Sequence, residues 1–148
     1  MTPVERFNIR VYALIFEGTK ILLADEIIRG DRYTKFPGGG LEKGEGLLDG
    51  LQREAHEELG QGLVEVQHFY TTDFFQVSQF NPTDQIVSVY YKAKLSGGAK
   101  FRIAEKKFDF QEGKIESFRW MELDVIKEEE LDFPIDRKVL GMIKNGES

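Results

Sequence analysis

Cysteine is absent from this sequence, which removes disulfides, thiolate zinc sites and cysteine nucleophiles together. Long apolar runs are also missing, since no stretch approaches the roughly 18 residues that a membrane-crossing helix needs. The opening segment MTPVERFNIR carries charges where a leader peptide would have its apolar core. These absences lead us to expect a cytoplasmic chain with no membrane partner. Positive charge is in deficit as well. A formal charge of −6 argues against a nucleic-acid backbone as partner, because tracking phosphates needs a basic surface. The surplus carboxylates suit a site that collects divalent cations, although mild acidity also serves solubility alone.

What is present has a globular balance, with 41% hydrophobic and 31% charged residues. No repeat, low-complexity tract or linker divides the chain, so one domain over residues 1–148 is expected. Val11–Phe16 and Lys20–Ala24 read as strands joined by a turn at Glu17-Gly18-Thr19. Tyr33–Phe36 reads as a third strand, stopped by Pro37 and the glycines 38–40. Leu47–Leu59 has a helical pattern and stops at Gly60. Leu63–Tyr70, Ile86–Leu95 and Phe118–Leu123 read as further strands, with a loop over Val77–Asp84. A last helix begins after Asp132, with Ile135, Val139, Leu140 and Ile143 on one face. Strands mixed with two helices predict an α/β fold.

The stretch from Gly39 to Gln61, GGLEKGEGLLDGLQREAHEELGQ, carries the chemistry. At about 100° per residue, Glu54, Glu57 and Glu58 lie at i, i+3 and i+4 and share one helix face. Leu48, Leu51, Ala55 and Leu59 form a neighbouring stripe able to pack on a sheet. Crowded carboxylates repel one another, and a hard cation such as Mg²⁺, Mn²⁺ or Ca²⁺ would turn that repulsion into attraction. The glycines before the helix let backbone approach a ligand closely, and a carbonyl there can serve as a further ligand. Glu45 lies near the helix start, where the helix dipole favours a carboxylate. Arg53 is the natural partner for a nearby carboxylate. His56 projects away from the acidic face and His68 falls in a strand, so neither is given a catalytic role.

This stretch resembles the Nudix box: Gly, five residues, Glu, seven residues, Arg-Glu, an aliphatic residue, a spacer, Glu-Glu, a spacer, Gly and an aliphatic residue. Its fixed positions are met by Gly39, Glu45, Arg53, Glu54, Glu57, Glu58 and Gly60. Ala55 is small for the first aliphatic slot, and Gln61 replaces the second. The resemblance implies an α/β/α sandwich around a mixed sheet, with a loop–helix–loop catalytic motif. It also implies a pyrophosphohydrolase that uses Mg²⁺ or Mn²⁺ and an activated water. Carried over by position, Glu57 and Glu58 are direct metal ligands, and Glu54 is a third ligand or the base that orients water. The Gly38 carbonyl completes the shell, while Glu45 and Arg53 brace the site. Some family members add a carboxylate from a loop before a late strand. Glu112 is the first choice for that role here and Glu116 the second, with Lys114 between them.

Substrate choice lies outside the box. Pro82 comes too late for the family's ADP-ribose pattern and Tyr70 too early for its dinucleoside polyphosphate pattern. The isoprenoid isomerase branch needs a cysteine, and RNA decapping suits an acidic chain badly. The expectation therefore stops at a nucleoside diphosphate derivative or (d)NTP, a small-molecule partner. Homodimers are common in the family, but no interface is legible. Phe74, Phe75, Phe80 and Tyr70 could stack on a base, although core packing accounts for most phenylalanines. Arg29, Arg32 and Lys35 could meet phosphates, with surface solvation the better reading for each taken singly. The rival expectation is a non-catalytic nucleotide sensor on the same fold.

Overall fold

In a computed structural model, residues 3–147 are described. Met1, Thr2 and Ser148, at the ends of the single domain expected over 1–148, lie outside the described residues. Strand β1 (Arg6–Glu17) turns through Gly18 into β2 (Lys20–Ile28), followed by β3 (Asp31–Lys35) and β4 (Gly38–Gly40). Helix α1 (Leu47–Leu59), strands β5 (Leu63–Thr71), β6 (Asp84–Leu95) and β7 (Glu116–Glu122), and helix α2 (Pro134–Lys144) complete the chain.

The sheet runs β3-β2-β1-β6-β5, with β4 also on β1 and β7 also on β2. It is mixed: β1 runs parallel to β6 from Arg6↔Asp84 to Ile15↔Ala93, and the other pairings are antiparallel. Because side chains alternate across a strand, the unbroken run VYALIF fills two cores. Val11, Ala13 and Ile15 pack with Leu51, Ala55 and Leu59 of α1. Tyr12 and Leu14 pack with Ile135, Val139 and Leu140 of α2. This is the expected sandwich of a mixed sheet between helices.

The bounds of α1 fall where the periodicity puts them, and Gly60 closes the helix in the left-handed region at φ 71°. Several strands run longer than their apolar cores, because flanking residues such as Arg6, Asn8 and Arg10 also join the ladder. The glycine run expected as a stop is itself strand β4. Gly38, at φ 144°, lies so close to β1 that a Cβ would fall 2.1 Å from the Val11 carbonyl oxygen. Leu48 was expected in the packing stripe but is 54% exposed. Gly50 takes up that contact instead, and a Cβ on it would meet Leu41 at 2.5 Å. Gln61, in place of an aliphatic residue, is buried and bridges the Gly98 carbonyl (3.1 Å) and the Lys100 amide (2.7 Å).

Candidate active site

Strands β1 and β2 pair only at Phe16↔Ile21 and Glu17↔Lys20. Between them, an open cavity of about 550 Å³ reaches into the molecule. Register supplies one wall, since Asn8, Arg10 and Tyr12 stand beside Ile86, Ser88 and Tyr90. Glu54 and Glu58 of α1 reach the same space with the backbone of Gly38 and Gly39. Gly39 allows this approach, because a Cβ there would sit 2.7 Å from the Glu54 carboxylate.

Arg53 organises the acidic face. Its Nε donates to Glu45 Oε2 at 2.6 Å and its Nη2 to Glu45 Oε1 at 2.9 Å and to the Gly40 carbonyl at 3.0 Å. Its Nη1 donates to Glu54 at 3.1 Å and Glu57 at 3.2 Å. Glu45 also accepts from the Glu42 amide at 2.8 Å, and the Arg53 hydrogen bonds hold its carboxyl below the usual range. Arg53 thus ties Glu45, Glu54 and Glu57 into one ion-pair cluster. Glu57 is exposed beside Arg53, outside the cavity wall.

The structure brings Glu116 to this group, and does not bring Glu112. Gln111–Lys114 form a turn closed by a 2.9 Å amide–carbonyl bond, with Gly113 at φ 77°, which leaves Glu112 exposed. Two residues further on, β7 has begun, and its register sets Glu116 directly opposite Glu26 of β2. Like charges at facing positions repel. Burial, then the Glu26 charge, pushes the Glu116 carboxyl up to about 7 against the pull of Lys35. Burial likewise pushes Glu58 up to about 9, with the Glu116 and Glu54 charges adding to it and Lys35 opposing.

Among the described residues, no three acidic or histidine side chains are already drawn together closely enough to hold a metal ion. Arg53 takes up Glu54 and Glu57, while Lys35 faces Glu58. The donor chemistry nevertheless fits a hard divalent cation. Carboxyl groups raised by burial and mutual repulsion hold their protons until an opposite charge arrives, and a divalent cation would supply that charge.

Sequence reading missed Arg10, Tyr12, Glu26, Phe133 and Asp136, all of which line the cavity. Asp136 is buried beside the apolar face of α2, accepting from the Tyr90 hydroxyl at 2.5 Å and the Phe36 amide at 3.3 Å. A carboxylate next to an apolar helix stripe is the signal that could have found it. Lys35, expected at the surface, is 4% exposed inside the site. Arg29 lines the cavity and donates to the Phe80 carbonyl, whereas Arg32 lies outside the lining, over the Phe108 ring. Of the aromatics considered for stacking, Phe80 lines the cavity, edge-on to Tyr33 and Phe133. His56 and His68 are exposed and away from it.

A family model described as NUDIX domain matches residues 6–141. An RNA pyrophosphohydrolase of Campylobacter jejuni is 33% identical over 88 residues, covering 55% of this chain and 56% of its own. The chain thus spans about half the length of the curated relatives it matches. A NUDIX hydrolase from Nitrosomonas europaea has a similar fold, with TM-score 0.71 and 23% identity over 99% of this chain and 91% of the other. A MutT NUDIX hydrolase from Burkholderia pseudomallei has TM-score 0.72 and 20% identity over 94% and 99%.

Proposed function

Since this chain belongs to the NUDIX family, we propose that it is a divalent-cation-dependent pyrophosphohydrolase acting on a nucleoside diphosphate derivative or a (d)NTP. One observation carries the reading: Glu54 and Glu58 of the box helix converge with the Gly38–Gly39 backbone in the wall of one open cavity. Its volume of about 550 Å³ suits a nucleotide-sized ligand.

In this reading Glu58, Glu54, Glu57 and the Gly38 carbonyl would hold Mg²⁺ or Mn²⁺, which would neutralise phosphate charge and make water a better nucleophile. The protein's own groups do the rest. Arg53 fixes the carboxylates of Glu45, Glu54 and Glu57 in orientation. Glu116, its carboxyl raised to about 7 by burial and the Glu26 charge, would accept a proton from the attacking water. Arg10 brings positive charge to the wall where a phosphate chain would lie. Phe80, Phe133 and Ile135 offer an apolar face for a base or sugar.

The test is a panel of nucleoside diphosphate sugars, dinucleoside polyphosphates, (d)NTPs and 5′-triphosphorylated RNA, incubated with Mg²⁺ in ¹⁸O-labelled water. Turnover of a small nucleotide, with label in one product, is the expected result. Turnover of RNA alone would move the substrate to that of the Campylobacter relative, against the expectation from the −6 charge. Tight binding of one nucleotide with no turnover of any would leave a sensor.

A further inference from the structure

Lys35 is the feature that the box does not account for. It ends β3, and its ammonium is buried in the cavity wall. Its Nζ donates to the Gly38 carbonyl at 3.3 Å, lies 4.0 Å from Glu26 Oε2 and stands 5.5 Å from the centre of the Tyr12 ring. An ammonium carries three donors. Among the described residues the Gly38 carbonyl is its one hydrogen-bond acceptor. Burial alone would lower its pKa. Glu58 first, then Tyr12, Glu26 and Asp136, more than reverse that, so it stays charged. The groups facing it come from several elements: Glu26 of β2, Glu58 of α1, Glu116 of β7, Asp136 of α2 and Tyr12 of β1.

This cation therefore holds one of the oxygens that the proposed function assigns to a metal, the Gly38 carbonyl, and lies among the acidic groups around it. A divalent ion placed beside this ammonium would be repelled by it, the more strongly because the ammonium is buried. The lysine stem has four flexible carbons, and the cavity lies open in front of it.

We propose that Lys35 is an exchangeable cation, which holds the acidic cluster when no divalent ion is bound and moves into the cavity when one enters, to bind an oxygen of the substrate's phosphate chain. The substrate half rests on the proposed hydrolysis, and the exchange half only on the metal site that goes with it. One side chain thus keeps the carboxylates from repelling one another in the empty site and adds positive charge to the filled one.

The first test uses the unmodified protein. Acetic anhydride labelling, read residue by residue by mass spectrometry, should modify Lys35 slowly without a divalent ion. With saturating Mg²⁺ the rate should rise at least about fivefold, the lower end of ordinary coupling between two ligands. An unchanged rate would overturn the exchange. Mn²⁺ calorimetry on the full chain is the second test. Lys35→Met should bind Mn²⁺ at least about tenfold more tightly than wild type, and Lys35→Arg should stay near wild type. Equal affinity in Lys35→Met would also count against the idea. With a hydrolysed nucleotide in hand, Lys35→Met should raise KM more than it lowers kcat, and Lys35→Arg should recover part of that loss. Wild-type protein that hydrolyses no nucleotide would end the proposed function, yet both metal experiments would still report on the exchange.

Discussion

Arg53 and Glu45 form a two-bond ion pair across the start of α1, at 2.6 and 2.9 Å, and the same guanidinium reaches Glu54 and Glu57. A lysine carries the charge but not the fork that meets these carboxylates together. Arg53→Lys should lower kcat by about 10- to 100-fold, the usual cost of losing a group that orients metal ligands. Steady-state kinetics with Mg²⁺ checks this, and wild-type rates in the variant would refute the bracing role.

Removing a proposed ligand should cost more. Glu57→Gln and Glu58→Gln are each expected to lower turnover at least about 100-fold while circular dichroism stays native. Their stabilities should differ. Glu58 is mostly buried with its carboxyl pushed up to about 9, whereas Glu57 is exposed. Metal-free Glu58→Gln should therefore lose less stability than wild type as pH rises from about 5 towards 9. Urea midpoints across that range, with EDTA present, would reveal parallel curves if the assignment is wrong.

Asp25 tests a separate network that holds β2 to β7. It is fully buried and accepts from Arg119 at 2.7 and 3.2 Å, from the Thr34 hydroxyl at 2.7 Å and from the Phe108 amide at 3.2 Å. Asp25→Ala leaves the Arg119 guanidinium buried with Glu130 as its one acidic partner among the described residues, and should cost about 3–5 kcal/mol. Combining it with Arg119→Met should recover part of that loss in urea unfolding. Additive costs would contradict the pairing.

Asp136 gives a stability signal with a defined direction. Burial pushes its carboxyl from an ordinary 3.8 up to about 6, so the folded chain holds that proton more tightly than the unfolded chain. Its contribution is full below about pH 4 and is lost as pH rises through about 6, a change on the order of 3 kcal/mol. Subtracting the unfolding curve of Asp136→Asn from that of wild type should isolate this loss. A difference that grows with pH would reverse the assignment.

The box helix was legible because 3.6-residue periodicity, a glycine stop and acidic spacing all point the same way at Leu47–Leu59. The parallel β1–β6 pairing was not, because register depends on partners far apart in sequence. The same blindness explains Glu116. Loop position favoured Glu112, but the pairing of β7 with β2 decides which carboxylate turns inward. Lys35 looked like a surface cation because a single lysine carries no trace of the carboxylates that fold around it.

The parallel pairing also bears on synthesis. Each β1 residue waits for one 78 positions later, Asn8 for Ile86 and Arg10 for Ser88, while the short β4 contact at Arg10↔Gly40 is within reach far sooner. On the ribosome, the apolar VYALIF segment must therefore remain without its main partner until β6 has also been made. Pairing between partners so far apart in sequence slows folding, and the waiting segment is the one that a chaperone would have to shield.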